Sequence, residues 1–142
     1  MGRLTDKIAI ITGASSGIGR AAAKRFLEEG ATVVIVGRNA ATIGEAAEAL
    51  GPNCHGVATD CGSVSQVKAL VEGVVRRFGR IDVLYLNHGV AMGAEPADGL
   101  SEDKFDLMVN TNLKGPYYAI LAAAPHMAPG SSIILTSSIG GH

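Results

Sequence analysis

Short apolar runs alternate along the chain with longer stretches of helical pattern. The runs are Ile8 to Thr12, Thr32 to Gly37, His55 to Asp60, Val83 to Asn87 and Ser132 to Ser137. The helical patterns between them lie near Gly17 to Glu29, Ala40 to Leu50, Ser63 to Phe78 and Ser101 to Met127. Such alternation builds βαβ units, and therefore a parallel sheet with helices on both faces: a doubly wound α/β fold, five strands of it within these residues. Asp60-Cys61-Gly62-Ser63 and Asp98-Gly99-Leu100-Ser101 supply turn and N-cap entries to the last two helices. Gly89 to Gly99, rich in Ala, Gly and Pro, reads as a loop after the fourth strand, at the rim where doubly wound sheets bind ligands.

The first strand runs directly into Thr12-Gly13-Ala14-Ser15-Ser16-Gly17-Ile18-Gly19, which opens the first helix. Gly13 at the strand end permits a turn that a Cβ would obstruct, Gly17 lets the backbone approach a ligand closely, and Gly19 lets the helix lie tight on the sheet. The helix start leaves N–H groups unpaired at the positive end of its dipole, so a phosphate is held there without a basic side chain. The spacing Gly-x-x-x-Gly-x-Gly differs from the usual dinucleotide fingerprint, so its support is the strand, turn and helix around it. Gly13 to Gly17 also fits Gly-x-Ser-x-Gly, the nucleophile elbow, which makes a hydrolase using Ser15 the rival reading. Against it, Gly19 has no role in an elbow, and little chain precedes the strand to build a sheet.

Composition narrows the class. With 142 residues, 47% of them hydrophobic and a mean hydropathy of +0.27, residues 1–142 suffice for one domain with one sizeable core. Twelve basic and 13 acidic residues give a net charge of −1, spread without a basic patch, which favours neither nucleic acid nor an anionic membrane. No apolar run approaches the ~18 residues of a membrane span, and a cytoplasmic location is expected. Cys54 and Cys61 flank the third strand, roughly 23 Å apart if extended, too far for a disulfide. Cys54 and His55 point to opposite faces and lack further ligands, so no metal site is expected.

The end of the second strand bears on which dinucleotide is bound. A unit for NAD(H) carries an acid about 20 residues beyond the glycines, for the ribose hydroxyls. Here Gly37-Arg38-Asn39 stands in that place, and the Arg38 guanidinium suits a 2′-phosphate that an acid would repel. NADP(H) is expected over NAD(H).

Thr12-Gly13-x-x-x-Gly17-x-Gly19, Asp60 after the third strand, Asn87-His88-Gly89 after the fourth, Asn112-Leu113-Lys114-Gly115 in the last helix and Ser137-Ser138 after the fifth occur in an order that resembles the short-chain dehydrogenase/reductases. The resemblance covers the whole chain. It implies a Rossmann fold and NAD(P)-dependent interconversion of a small-molecule carbonyl and alcohol by hydride transfer. It further implies that Ser15, Ser16, Ile18, Arg38 and Asn39 join the three glycines at the cofactor, that Asp60 and Cys61 meet the adenine, and that Asn87, His88 and Gly89 line the ribose. Ser138 would donate a hydrogen bond to the substrate oxygen, with Ser137 the alternative. Asn112 would help hold a water in the proton relay. The family's Asn-Asn-Ala-Gly reads Leu86-Asn87-His88-Gly89 here, and His88 is read as a packing or hydrogen-bonding residue beside the cofactor. Asn110 is read as a capping or solvent-facing amide.

The same resemblance calls for a tyrosine followed four positions later by a lysine, a dozen or so residues after Ser138. Tyr85, Tyr117 and Tyr118 are followed at that distance by Gly89, Leu121 and Ala122. The expectation is that residues after His142 supply the pair; a non-catalytic dinucleotide-binding module is the alternative, and a 142-residue catalyst using His88 or another acid ranks last. Tyr117 and Tyr118 are expected to pack in the core, Ala91 to Ala97 to form one wall of the substrate site, and the apolar stretch Ala119 to Ala124 to suit a dimer or tetramer interface or internal packing.

Overall fold

The computed structural model describes residues 2–91 and 96–138. Five strands, β1 (Ile8–Thr12), β2 (Thr32–Gly37), β3 (Cys54–Ala58), β4 (Val83–Leu86) and β5 (Ser132–Leu135), form one parallel sheet in the order β3-β2-β1-β4-β5. Successive residues of β1 point to opposite faces, and both faces are covered. Ile8 and Ile10 join Val34, Leu84 and Leu86 in one core with α3 (Val64–Phe78) and α5 (Gly115–Ala123), while Ala9 and Ile11 join Val33 and Ile35 in a second with α1 (Gly17–Glu28) and α2 (Ala40–Leu50). This two-sided burial is why β1 and β2 read as unbroken apolar runs. Among the described residues, no helix is long and apolar enough to cross a membrane.

Three strands stop earlier than the sequence suggests, and polar residues follow each of them. Beyond β4, the Asn87 N–H donates to the Thr12 hydroxyl at 2.9 Å instead of to a strand carbonyl. After β3, Asp60 folds into a turn, its N–H donating to Gln66 Oε1 (2.8 Å) and its Oδ1 accepting from the Gly62 N–H (2.9 Å). β5 ends at Leu135, and Thr136 beyond it donates its hydroxyl to Asn87 Oδ1 at 2.7 Å. Cys54 begins β3 rather than preceding it.

The helical stretch from Ser101 is not one regular helix. It divides into α4 (Glu102–Val109), a π-turn at Asn110–Lys114, α5, and a 3₁₀ turn at Ala124–His126. Pro116 has no N–H to give to the Asn112 carbonyl, and the Gly115 N–H reaches back to Asn110 instead, so the extra residue is accommodated as a bulge. Gly115 also lies so close to the Cys61 carbonyl that a Cβ would come within 1.9 Å of it. Ala119 and Ala123 turn inward and are buried while Leu121 stays exposed, so the stretch packs internally on one side only; Tyr117 is 57% exposed and Tyr118 half-buried, so neither tyrosine belongs to the core. Their rings meet edge to face at 5.2 Å.

Candidate functional site

From β1 the chain moves outward to β2 on one side, and later to β4 on the other, so a crevice opens above the carboxyl ends of β1 and β4. Thr12 sits at its floor, 2% exposed, and its hydroxyl joins the two strand ends. It accepts from the N–H groups of Asn87 (2.9 Å) and His88 (3.3 Å) and lies 2.7 Å from His88 Nδ1. Gly13 follows at φ +61°, where a Cβ would stand 2.8 Å from the Asn87 carbonyl, and Asn87 Nδ2 donates to the Gly13 carbonyl at 3.3 Å. Gly19 packs against the same turn, 2.3 Å being left between a hypothetical Cβ and the Gly13 oxygen. Gly17, at φ +57°, faces open space. Gly13 and Gly19 thus meet the steric demands their spacing predicts, and Gly19 serves by packing, lining neither of the two spaces described next.

Two adjoining spaces flank this turn. A cavity of about 370 Å³ brings together Gly13, Ser15 and Ser16 with Arg38, Asp60 and Cys61, and extends to Asn87, His88 and Gly89. A more open groove of about 650 Å³ continues past Gly17 and Ile18 to Asn112, Ser137 and Ser138. The expected site residues therefore converge, except Gly19 and Asn39. Asn39 is spent as the N-cap of α2, its Oδ1 accepting from the Thr42 N–H at 3.0 Å. Of the expected substrate wall, residues 92–95 lie outside the described residues.

Asn112 reaches across to the loop after β4. Its Oδ1 accepts from the Val90 N–H and its Nδ2 donates to the Val90 carbonyl, both at 2.8 Å, the pairing a neighbouring strand would make. The π-turn sets this side chain toward the groove. α1 starts at Ser16 without a side-chain cap, so its first N–H groups face the glycine turn with no side chain across them. Burial pushes the Cys61 thiol up to about 12, with Asp60 adding to the effect and Arg38 opposing it, and burial alone raises Cys54 to about 11. Both thiols are free, and no cluster of metal-binding side chains occurs among the described residues.

His88 is tied through both ring nitrogens, to Thr12 and, at 3.0 Å, to the Thr111 carbonyl. Burial lowers its pKa, and the Thr111 carbonyl only partly opposes this. Both nitrogens of His88 are thus engaged away from Ser15.

The sequence profile described as short chain dehydrogenase matches residues 7–142. The chain belongs to the short-chain dehydrogenase family. An oxidoreductase of Sarocladium schorii is 43% identical over 98% of this chain and 56% of the relative, and galactitol 2-dehydrogenase of Agrobacterium fabrum is 36% identical over 98% and 55%. Among solved structures, a metagenomic short-chain oxidoreductase in complex with NADP superposes with a TM-score of 0.93 at 33% identity, covering 98% of this chain and 65% of that one. A 3-ketoacyl-(acyl-carrier-protein) reductase from Brucella melitensis complexed with NADH gives 0.90 at 36%, covering 96% and 59%. The chain spans little more than half the length of these two curated relatives.

Within this site, the sequence pattern undervalues Thr12, Thr111 and Thr136. Thr12 stands in the quoted motif and is a polar residue closing an apolar strand, which is a signal. Thr111 and Thr136 give none, because their partners, His88 and Asn87, come from distant parts of the chain.

Proposed function

We propose that the protein is an NADP(H)-dependent oxidoreductase interconverting a small-molecule carbonyl and alcohol, with the crevice above β1 and β4 as its cofactor site. The observation that carries the cofactor preference is Arg38, which lines one cavity with Ser15, Ser16 and the glycine turn. The residues fit a dinucleotide: the helix start is uncapped, Gly17 leaves room where a side chain would stand, and the cavity runs on into the groove holding Asn112 and Ser138. In this reading the first turn of α1 holds the diphosphate, Arg38 the 2′-phosphate, Asp60 and Cys61 the adenine end, and Asn87, His88 and Gly89 the ribose.

Bound NADP(H) gives or takes hydride at its nicotinamide ring. Ser138 orients the substrate oxygen and stabilises the charge developing on it, and Asn112 holds Val90, and through it the loop that borders the groove. The proton comes from a tyrosine assisted by a lysine, a pair these 142 residues do not hold at the required spacing. Residues 1–142 alone are therefore expected to bind cofactor without turnover, and a chain extended to its relatives' length to do both. The exposed Leu113, Tyr117 and Leu121, spaced four apart on the outer face of the π-turn and α5, are the surface offered for a homodimer or tetramer in the cytoplasm.

Titration with NADPH and NADH tests the cofactor assignment. Tighter NADPH binding is expected, and Arg38→Asp should reverse the order, the lost charge-assisted contact alone costing about 1.5–3 kcal/mol. Equal affinities before and after the change would refute the role of Arg38.

A further inference from the structure

His88 stands where the family pattern has alanine, and its two ring bonds join parts of the site that the backbone does not connect. We propose that His88 is a positioning residue: its imidazole, as the Nε2–H tautomer, braces the Thr12 hydroxyl under the glycine turn against the Thr111 carbonyl of the π-turn and so fixes the two walls of the cofactor cavity relative to each other. This rests on reading that cavity as the cofactor site.

The tautomer follows from counting donors. The Thr111 carbonyl only accepts, so Nε2, 3.0 Å away, carries a hydrogen. In the neutral ring Nδ1 is then a lone pair, and at 2.7 Å the Thr12 O–H must donate to it. The same hydroxyl accepts from the Asn87 and His88 N–H groups, which uses both its lone pairs. One hydroxyl and one ring are thereby fully employed. The Tyr85 carbonyl, 3.5 Å from the hydroxyl, is the remaining, longer alternative acceptor.

The consequence lies in what each end controls. Thr12 fixes the start of the glycine turn, and Thr111 is the residue before Asn112, whose side chain holds Val90. A proton added at Nδ1 would make it a third donor toward a hydroxyl that can accept only two, so at least one bond of the brace must break. The ionisable groups that line the ring's cavity are Arg38 from the β2–α2 turn and Asp60 and Cys61 from the β3–α3 turn; of the other elements beside it, β4 carries Tyr85 and the π-turn carries Lys114, and the glycine turn carries none. Burial, rather than any of these charges, is the larger influence on the ring, and it favours the neutral form.

Two measurements decide the proposal. In the unliganded protein, the imidazole nitrogen spectrum should show His88 protonated at Nε2 and bare at Nδ1, with its titration lying below the ordinary histidine value. A proton on Nδ1, or ordinary titration, overturns the brace. Secondly, Kd for NADPH and NADH is measured from pH 8 to pH 5 for the wild type and for His88→Ala, a change to the family's own residue. At pH 8 the variant should bind about 3- to 30-fold more weakly, the worth of one or two hydrogen bonds. The ratio of variant to wild type should approach one as pH falls, and taking it at each pH cancels titration of the cofactor phosphate. A ratio independent of pH overturns the positioning role. Failure of both cofactors to bind at any pH overturns the cofactor reading, while the ring spectrum still decides the brace.

Discussion

At the residue scale, one substitution has opposite consequences at two glycines. Gly13→Ala places a Cβ at φ +61° and 2.8 Å from the Asn87 carbonyl, so it should cost about 2 kcal/mol or more and disrupt cofactor binding. Gly44 lies exposed within α2 with nothing near its Cβ position, and Gly44→Ala should add about 0.5–1 kcal/mol. Urea unfolding of the two variants checks the pair; destabilisation by both would remove the local explanation. The thiols give a second residue-level expectation. With Cys54 and Cys61 buried and pushed up to about 11 and 12, an aromatic disulfide reagent at pH 8 should label neither until the chain unfolds. The glycines were legible in the sequence because Gly13 and Gly17 take a positive φ and Gly19 packs on the Gly13 carbonyl, demands that belong to one short turn. Thr12 was legible only as a polar residue closing an apolar strand, because its partners Asn87 and His88 lie 75 and 76 residues away and nothing local announces them.

At the element scale, the π-turn is the feature that periodicity misses. The stretch from Ser101 carries a continuous helical pattern, and a single inserted residue leaves that pattern nearly intact; only Pro116 and Gly115 hint at the break. The reason for it is tertiary: the close approach to the Cys61 carbonyl and the reach of Asn112 to Val90. Asn112→Ala should therefore cost about 1–3 kcal/mol, the worth of two hydrogen bonds, and should speed hydrogen exchange at the Val90 amide while leaving β1 and β2 protected. Unchanged exchange at Val90 would show that the loop is held by something else. The strand ends were misplaced for a related reason. The residues expected to continue β3, β4 and β5 include Asp60, Asn87 and Thr136, whose hydrogen bonds go to groups that the local pattern does not reveal.

At the scale of the whole molecule, parallel pairing and two-sided burial followed from the alternation of elements, because a parallel sheet needs a crossover between neighbouring strands. The apolar, β-branched run of β5 is left bare within these residues. Ile133, Ile134 and Leu135 are 43%, 38% and 57% exposed on a strand at the sheet edge. Residues 1–142 prepared alone should therefore self-associate with rising concentration, and Ile134→Lys should suppress this in sedimentation velocity. A monomer at all concentrations would show that the edge is protected. Acidification adds a second effect: because the folded pKa of His88 is depressed, its contribution to stability is intact above about pH 6.5 and is lost as pH falls from there toward the folded value.

The seam between β1 and β4 has a kinetic meaning as well. β1, β2 and β3 can zip together from successive crossovers, whereas the register of Ala9 with Val83 must close a loop that contains both of those other strands. Closure of that long loop is the slower event, since its entropy is lost before the pairing rewards it. The crevice exists only once the seam has closed, so in refolding the recovery of NADPH fluorescence enhancement should lag behind the far-ultraviolet circular dichroism. Simultaneous recovery would place the closing of the seam early, and the site would then be among the first parts of the molecule to form.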